Sequence, residues 1–278
     1  MNIAERALGH SIEAYGVKTN YLKDGAGFPL VLLHGSGLGV SAHANWGGIL
    51  PDLARHFQVI APDVAGFGYS EPKDDTQYSM EFWVAHTVAF LDALEIKRAS
   101  FIGNSFGGAL AVALAARHPE RVERMMLMGS AGVHFVPPPV FGFDLSKGLN
   151  ADTMRQIVNM FTVHPERVTE DMVQIRLQMA VRPGAMARLA RLFPGDTKVT
   201  RVTSLITDDA LIASIKVPTL LVHGRDDQIV PTTTSYRLHE LISAADLCVL
   251  SRCGHWSQVD RAADFKALAI NFLAQKQV

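Results

Sequence analysis

The pentapeptide Gly103-Asn104-Ser105-Phe106-Gly107 constrains the fold more than any other part of this chain. A short apolar stretch precedes it, and an alanine-rich segment of helical composition follows at residues 107–117. A serine in a tight turn between a strand and a helix has a strained backbone, and glycine neighbours leave room for it. The motif therefore predicts a strand, a sharp turn and a helix, with the Ser105 hydroxyl exposed at the carboxyl end of the strand. Taken alone, it also fits a buried serine that caps a helix beside packing glycines.

Apolar runs alternate with segments of helical period on both sides of this motif. Runs such as residues 29–33 have the composition of strands that are buried on both faces of a sheet. The alternation predicts a mainly parallel sheet covered by helices on both sides. We predict an edge hairpin at 11–23, strands at 29–33, 58–61, 100–103, 125–128, 217–222 and 247–250, and helices at 80–94, 107–117, 232–242 and 262–275.

The alternation stops between residues 134 and 215. Three consecutive prolines, Pro137, Pro138 and Pro139, open this part, and from residue 152 only helical patterns occur, interrupted by Pro-Gly pairs. We therefore predict one α/β core with an all-helical insertion. Residues 1–133 form the first part of the core, residues 134–215 a helical lid, and residues 216–278 the second part of the core.

Composition excludes several classes of protein. The 278 residues carry 26 Lys and Arg against 27 Asp and Glu, so the net charge is −1. The chain therefore lacks the excess of positive charge that is typical of nucleic-acid-binding proteins. No apolar run approaches the roughly 20 residues that cross a bilayer, and the first ten residues lack the apolar centre of a signal peptide. The two cysteines, Cys248 and Cys253, are too few for a disulfide framework. We expect a cytoplasmic protein that binds neither nucleic acid nor a membrane.

A carboxylate and a histidine follow later strands in an order that suits a serine nucleophile. The predicted strand at 217–222 leads into Asp226 and Asp227, and the last predicted strand leads into His255. The order serine, acid, histidine is that of a strand-turn-helix nucleophile. In such a triad the histidine takes the serine proton and the carboxylate orients the imidazole. We assign Ser105 as nucleophile, His255 as base and Asp227 as acid, with Asp226 as the alternative acid.

A glycine-rich loop predicts an oxyanion hole. His34-Gly35-Ser36-Gly37 directly follows the strand at 29–33, and this loop is expected to supply the second hydrogen-bond donor. We expect the backbone N–H groups of Ser36 and Phe106 to bind a developing oxyanion. The alternative is a plain glycine-rich turn. Cys253, close to His255, is the competing nucleophile, but Ser105 has the better setting.

Further motifs extend along the whole chain, and together they resemble one family. They are His34-Gly35-Ser36-Gly37, Asn45-Trp46, Pro62-Asp63, Gly66-Phe67-Gly68-Tyr69-Ser70, Gly103-Asn104-Ser105-Phe106-Gly107-Gly108, Gly129-Ser130-Ala131-Gly132, Arg182-Pro183-Gly184, Gly224-Arg225-Asp226-Asp227 and Gly254-His255-Trp256-Ser257-Gln258. The chain resembles the α/β hydrolases from end to end, and within that fold it is similar to the meta-cleavage product hydrolases, the carbon–carbon bond hydrolases of aromatic degradation. Asn104, Trp256 and the distant Asn45 discriminate more than the serine turn and the histidine loop, which many hydrolases share.

This resemblance implies a mostly parallel central sheet flanked by helices, and no metal or organic cofactor. It implies a small-molecule substrate, a 2-hydroxy-6-oxo-hexa-2,4-dienoate, whose C5–C6 bond is cleaved by water to 2-hydroxypenta-2,4-dienoate and a carboxylic acid. Arg176 in the helical insertion would bind the substrate carboxylate, with Arg182 as the alternative. Asn45 and Asn104 would hydrogen-bond the dienoate end, and Trp256 would pack on it. Family members are often oligomeric, so a homo-oligomer is a further expectation.

The resemblance also implies that the helical lid covers the C6 substituent. Residues 130–132 and 135–143 resemble members that act on monocyclic products, so we expect hydrogen or alkyl at C6 in preference to phenyl. The first rival is a carboxylesterase or thioesterase of the same fold, which also passes through an acyl serine. The second is a ligand-sensing receptor that keeps the triad and turns over slowly. The carboxylate-binding set of Asn45, Asn104 and Arg176 favours the carbon–carbon hydrolase over the esterase.

Overall fold

The strand that leads into Ser105 lies in the middle of a mixed sheet. The computed structural model describes residues 7–73, 75–137, 148–193 and 202–275. Within these residues the sheet has eight strands, in the order β1-β2-β4-β3-β5-β6-β7-β8. They are β1 (His10–Ala14), β2 (Val17–Asp24), β3 (Pro29–Leu33), β4 (Gln58–Pro62), β5 (Ala99–Asn104), β6 (Val122–Met128), β7 (Thr219–Gly224) and β8 (Ala245–Leu250).

Only the first two strands depart from a parallel arrangement. β1 pairs with β2 and β2 with β4 in antiparallel register, and every pair from β4 to β8 is parallel. The predicted edge hairpin and the mainly parallel sheet are therefore confirmed. Because β3, β5, β6 and β7 all end at the same edge, the loops that follow them meet there.

The central strands are largely apolar because both of their faces are buried. Along β3, Val31 and Leu33 belong to one core cluster, and Leu30 and Leu32 belong to the other. Successive side chains of a strand point to opposite faces, so a strand between two helical layers needs apolar residues at every position. The same alternation in β6 places Met125 on the first face and Met126 on the second.

Helices cover both faces of the sheet. In the described residues they are α1 (Ala42–Trp46), α2 (Leu50–Leu53), α3 (Met80–Ala93), α4 (Phe106–Arg117), α5 (Ala151–Asn159), α6 (Glu170–Ala180), α7 (Ala185–Leu192), α8 (Asp209–Ala213), α9 (Thr233–Leu241), α10 (Ser257–Asp260) and α11 (Ala262–Leu273). The predicted strands and helices of the core agree with these bounds to within about three residues. The short helices α1, α2 and α10 were not predicted.

Four of these helices, α5 to α8, lie between β6 and β7, in the part of the chain where only helical patterns were predicted. Residues 129–137, 148–193 and 202–218 contain no strand. The domain bounds and the action of this part as a lid remain predictions. Residues 138–147 and 194–201, which include most of the proline- and phenylalanine-rich segment, lie outside the described residues. Among the helices that the structure describes, none is long and apolar enough to cross a membrane.

Candidate active site

Ser105 occupies the predicted turn between β5 and α4. Its φ of 54° and ψ of −112° lie outside the regions that a side-chain-bearing residue normally adopts. The close approach of the flanking backbone explains the two glycines, because a Cβ at Gly103 would lie 2.5 Å from the carbonyl oxygen of Gly107, and a Cβ at Gly107 would lie 2.2 Å from that of Leu33. The N–H of Ser105 donates to the carbonyl of Met128 (3.0 Å), so β6 also holds the turn.

Asp227 is the carboxylate that contacts the histidine. Its Oδ2 lies 2.7 Å from Nδ1 of His255, and both side chains are almost fully buried. Oδ1 accepts hydrogen bonds from the N–H groups of Ile229 (2.7 Å) and Val230 (3.0 Å). The alternative acid, Asp226, pairs instead with Arg225 and is 38% exposed.

The pKa of Asp227 lies well below its usual value. Burial by itself raises this pKa, but the nearby His255 and hydrogen bonds from His223 and His255 outweigh that effect. The acid is therefore ionised at neutral pH. An ionised carboxylate at Nδ1 fixes the proton on that nitrogen and leaves Nε2 of His255 as the basic atom.

His223 is a further member of this cluster, for which no role was predicted. It is fully buried on β7, and its Nε2 lies 3.1 Å from Oδ2 of Asp227. Its position at the end of a strand, four residues before the acid, was the available signal, but in a chain with eleven histidines that signal is weak.

Ser105 and His255 both open into one cavity of about 330 Å³. Ser105, His255 and Ser36 line it, as do all four predicted substrate-binding residues, Asn45, Asn104, Arg176 and Trp256. The rest of the wall is mainly apolar and includes Leu38, Ala131, Phe135, Phe161, Met186, Leu189, Phe193, Val202, Leu205, Ile229 and Val230. The Phe106 ring is buried against Trp83 and Phe193, whereas its backbone N–H begins α4 beside Ser105.

The loop that carries Ser36 is held by two side chains. Nε2 of His34 accepts the N–H of Val64 (2.9 Å), so the ring proton is on Nδ1, which donates to the carbonyl of Gly35 (2.6 Å). Burial lowers the pKa of His34 to about 4, which keeps this ring neutral. The N–H of Gly35 donates to Oδ1 of Asn45 (3.2 Å). Consequently Nδ2 of Asn45, which has no partner among the described residues, is free to donate to a ligand.

Arg176 brings a buried and unpaired positive charge to this cavity. Its helix, α6, begins after Thr169, whose hydroxyl accepts the N–H of Met172 (3.3 Å). The residue is 2% exposed, and Nε and Nη1 have no hydrogen-bond partner in the described part of the chain. Burial lowers its pKa to about 10, so the guanidinium stays charged at neutral pH.

Aromatic rings hold the Arg176 side chain. Its guanidinium carbon lies 4.8 Å from the ring centroid of Trp256 and 5.2 Å from that of Phe161. These two rings stack on each other at 4.8 Å, 15° from parallel. Aromatic faces attract a cation but satisfy none of its N–H donors. The site is therefore built to receive an anion.

Arg182, the alternative carboxylate-binding residue, and Cys253, the alternative nucleophile, do not line the cavity. Arg182 donates to the carbonyl of Gly68 and to Oε1 of Glu71 (2.9 Å), and it does not line the cavity. Cys253 is buried, its Sγ contacts Oγ of Ser257 (3.3 Å), and burial raises the pKa of this thiol to about 11. A thiol with that pKa is not a thiolate at neutral pH.

In the described residues no group of three or more His, Cys, Asp or Glu side chains could hold a metal ion.

The chain is similar to known hydrolases over most of its length. The family model of the alpha/beta hydrolase fold matches residues 29–262. The chain is 46% identical to 2-hydroxymuconate semialdehyde hydrolase of Pseudomonas sp. (strain CF600), over 96% of this chain and 94% of that one, and 41% identical to 2-hydroxy-6-oxo-2,4-heptadienoate hydrolase of Pseudomonas putida, over 96% of each. The solved structure of CumD, a meta-cleavage product hydrolase from Pseudomonas fluorescens IP01, superposes with a TM-score of 0.91 at 40% identity, covering 97% of this chain and 98% of that one.

The chain thus combines a serine on a strained turn, a buried pair of carboxylate and histidine, and an apolar cavity that contains one buried arginine. It matches these enzymes over nearly its whole length. The protein belongs to the α/β-hydrolase fold family and, within it, to the meta-cleavage product hydrolases, which are serine-type enzymes.

Proposed function

We propose that this enzyme hydrolyses the C5–C6 bond of a 2-hydroxy-6-oxo-hexa-2,4-dienoate with a small C6 substituent. The products are 2-hydroxypenta-2,4-dienoate and a carboxylic acid. The observation that carries this proposal is the unpaired guanidinium of Arg176 in the same apolar cavity as Ser105 and His255. An ester hydrolase that acts on neutral substrates has no use for a buried charge that is costly to maintain.

The substrate carboxylate binds Arg176 in this proposal. A planar guanidinium and a carboxylate form two parallel hydrogen bonds, which fixes the direction of the dienoate chain. The indole of Trp256 lies against the conjugated carbons, and Asn45 and Asn104 hydrogen-bond the oxygens of the dienoate end. The carbonyl at C6 then reaches Ser105.

Ketonisation comes first. With the help of His255, the 2-hydroxyl group loses its proton and C5 gains one. Oγ of Ser105 then bonds to C6 while its proton passes to Nε2 of His255. The N–H groups of Ser36 and Phe106 stabilise the resulting oxyanion, and a donor of this kind contributes about 3 kcal/mol in the transition state.

Cleavage and deacylation complete the cycle. The C5–C6 bond breaks, its electron pair leaves with C5 and delocalises to the 2-oxo group, and the dienolate takes the proton from His255. C6 remains as an ester of Ser105. His255 then removes a proton from water, the hydroxide attacks C6, and the carboxylic acid leaves as Ser105 regains its proton.

The expectation of a small C6 substituent has two supports. The relatives at 46% and 41% identity are named for a semialdehyde and for a heptadienoate, which carry hydrogen and methyl at that carbon. The cavity is lined by bulky side chains, among them Phe135, Phe193 and Ile229. In the same proposal, helices α5 to α8 act as the lid over the C6 substituent.

Two further expectations complete the proposal. Both cysteines are free thiols, which fits a reducing compartment such as the cytoplasm. A homo-oligomer is also expected for a member of this family, and sedimentation equilibrium would establish its size.

The test compares substrates on one enzyme preparation. Purified protein is mixed with dienoates that carry H, methyl or phenyl at C6, and with p-nitrophenyl acetate, with Ser105→Ala as the control. We expect rapid loss of dienoate absorbance, fastest for H or methyl, absent in the variant and far more efficient than ester cleavage. Stable dienoates together with rapid ester cleavage would assign an esterase, and slow turnover of every compound with tight binding would assign a ligand sensor.

A further inference from the structure

Oδ2 of Asp227 serves two imidazoles at once. It lies 2.7 Å from Nδ1 of His255 and 3.1 Å from Nε2 of His223. His223 lies on β7 and is fully buried, and it is absent from the described residues that line the cavity. It therefore contacts the acid outside the cavity wall.

The contacts of His223 fix its tautomer. Nε2 also lies 3.0 Å from the carbonyl oxygen of Val230, and a carbonyl only accepts, so this nitrogen carries the proton. The single N–H at Nε2 of His223 is thus shared between the carbonyl oxygen of Val230 and Oδ2 of Asp227. Nδ1 is 2.7 Å from Oγ of Ser235, a fully buried hydroxyl on α9. In the neutral ring Nδ1 has a lone pair, and the Ser235 hydroxyl donates to it.

These contacts fill all four acceptor positions of the Asp227 carboxylate. Two backbone N–H groups, of Ile229 and Val230, occupy Oδ1, and two imidazole N–H groups occupy Oδ2. A carboxylate with both oxygens held in this way can neither rotate nor readily accept a proton. Without His223, the only donor to Oδ2 would be the Nδ1–H group of His255, a ring that gains and loses a proton during the reaction.

We propose that His223, whose tautomer is fixed by the Val230 carbonyl and whose ring is held by Ser235, is a positioning residue that keeps Asp227 ionised and aimed at His255. This rests on the proposed function only in that Asp227 and His255 are taken as the acid and base for Ser105. It adds a second buried histidine and a serine behind the triad, so the chain of contacts runs Ser235, His223, Asp227, His255.

The experiment measures acylation of Ser105 directly. A fluorophosphonate reagent and p-nitrophenyl acetate both report on the activated serine, whatever the natural substrate is. The variants are His223→Leu, His223→Gln and Ser235→Ala. Gln keeps an N–H donor near the position of Nε2, whereas Leu keeps only the bulk. His86→Leu is the matched control, because His86 is also buried and hydrogen-bonded to a hydroxyl, that of Thr19 (2.8 Å), away from the cavity.

We expect His223→Leu to acylate about 10- to 100-fold more slowly, the range for a lost hydrogen bond to a charged group. His223→Gln should recover most of that rate, Ser235→Ala should show a smaller loss, and KM for p-nitrophenyl acetate should stay unchanged. His86→Leu should acylate at the wild-type rate. In ¹⁵N NMR spectra of the wild type, His223 should appear as the Nε2–H tautomer, and the Nδ1 proton signal of His255 should shift in His223→Leu.

Equal acylation rates in His223→Leu, His223→Gln and the wild type would overturn the proposal. An equal loss in His223→Leu and His223→Gln would overturn it as well, since the donor would then be irrelevant. If His223→Leu does not fold, the outcome is decided by the tautomer of His223 in the wild-type NMR spectrum and by the acylation rate of Ser235→Ala. An Nδ1–H tautomer of His223 would overturn the proposal. A failure of the dienoate assay leaves these measurements intact, so the two proposals fail separately.

Discussion

The carbonyl oxygen of Phe161 accepts a hydrogen bond from the backbone N–H of Trp256 (2.9 Å), and the two rings stack. One residue belongs to the helical segment between β6 and β7, and the other follows His255. The contact therefore joins a wall of the cavity to the loop that carries His255.

Asp260 strengthens this junction, and its removal should reduce stability and activity. It is fully buried, and it accepts the N–H of Gly254 (2.7 Å), the N–H of Val163 (3.1 Å) and the hydroxyl of Thr162. Asp260→Ala leaves these donors unsatisfied, so we expect a loss of about 3 kcal/mol in the free energy of unfolding and at least a 10-fold lower kcat. Urea unfolding and steady-state rates measure both.

Asp260→Asn is the matched variant for that measurement. Its amide oxygen can accept both backbone N–H groups while its NH₂ group donates to Thr162, so we expect a loss of about 1 kcal/mol. If Asp260→Ala were as stable and as active as the wild type, the junction would have no energetic role.

Arg176→Met should separate substrate binding from stability. Removing a buried, unpaired charge while keeping an apolar side chain should raise the free energy of unfolding by roughly 1–3 kcal/mol. The same change should raise KM for dienoates by about 10- to 100-fold, because the substrate carboxylate loses charged hydrogen bonds. KM for p-nitrophenyl acetate, which carries no carboxylate, should stay within about twofold.

Arg182→Met is the control for this variant. Arg182 is also a cation on the helical segment, but it pairs with Glu71 outside the cavity. Its substitution should leave the KM for dienoates unchanged. A larger rise in KM for Arg182→Met than for Arg176→Met would reverse the assignment.

Gly107→Ala should disrupt the serine turn. The added methyl would lie 2.2 Å from the carbonyl oxygen of Leu33, so the end of β3 would have to move away from α4. We expect a loss of about 3 kcal/mol in unfolding free energy and little fluorophosphonate labelling of Ser105. Gly48→Ala is the control, since a Cβ there meets no atom within 4 Å. Wild-type labelling of Gly107→Ala would refute the steric account of the turn.

Acid should destabilise the fold through two buried histidines. Burial lowers the pKa of both His34 and His86 to about 4, from the ordinary value of 6.5. Between these values the unfolded chain binds protons that the folded chain does not, so stability is lost as the pH falls from about 6.5 to 4. Each histidine contributes up to about 3 kcal/mol of this loss.

The measurement is urea unfolding at a series of pH values for the wild type and His86→Gln. Glutamine keeps a hydrogen-bonding group near Thr19 but binds no proton in this range. We expect the variant to lose less stability between pH 6.5 and 4, by about 3 kcal/mol. Parallel pH profiles for the two proteins would contradict the lowered pKa of His86.

Local sequence patterns predicted the parts of the site that depend on local geometry. The serine turn needs glycines at fixed offsets, and mainly apolar strands precede both Asp227 and His255, so the sequence predicts Ser105, Asp227 and His255 as a set. The sequence favours Asp227 over Asp226 but contains no contact that decides between them. The structure pairs Asp227 with His255 and leaves Asp226 with Arg225.

Residues whose importance comes from distant partners could not be found in this way. The hydroxyl of Ser235 is twelve positions from His223, and Thr162 is 98 positions from Asp260, so no spacing rule connects them. Arg176 was identified only through the family resemblance, because an arginine on a helix is usually a surface residue. Its burial against two aromatic rings depends on how α6 packs on the core.

The helical segment leaves the sheet after β6 and returns at β7, and these strands are direct neighbours, with Met125 paired to Thr219 and Met128 to Val222. Because the two strands are parallel, the segment leaves the sheet at its carboxyl edge and returns at its amino edge, and both of its ends are attached to the same sheet. Ser105, Asp227 and His255 all follow strands of that sheet, whereas α7 contributes Met186 and Leu189 to the cavity wall, so mutations in α7 can reshape the cavity without moving these three residues. Substitutions that change the preferred substrate can therefore accumulate in this one segment. Residues 161–163 contact Trp256 and Asp260 next to His255, so fewer substitutions are tolerated there.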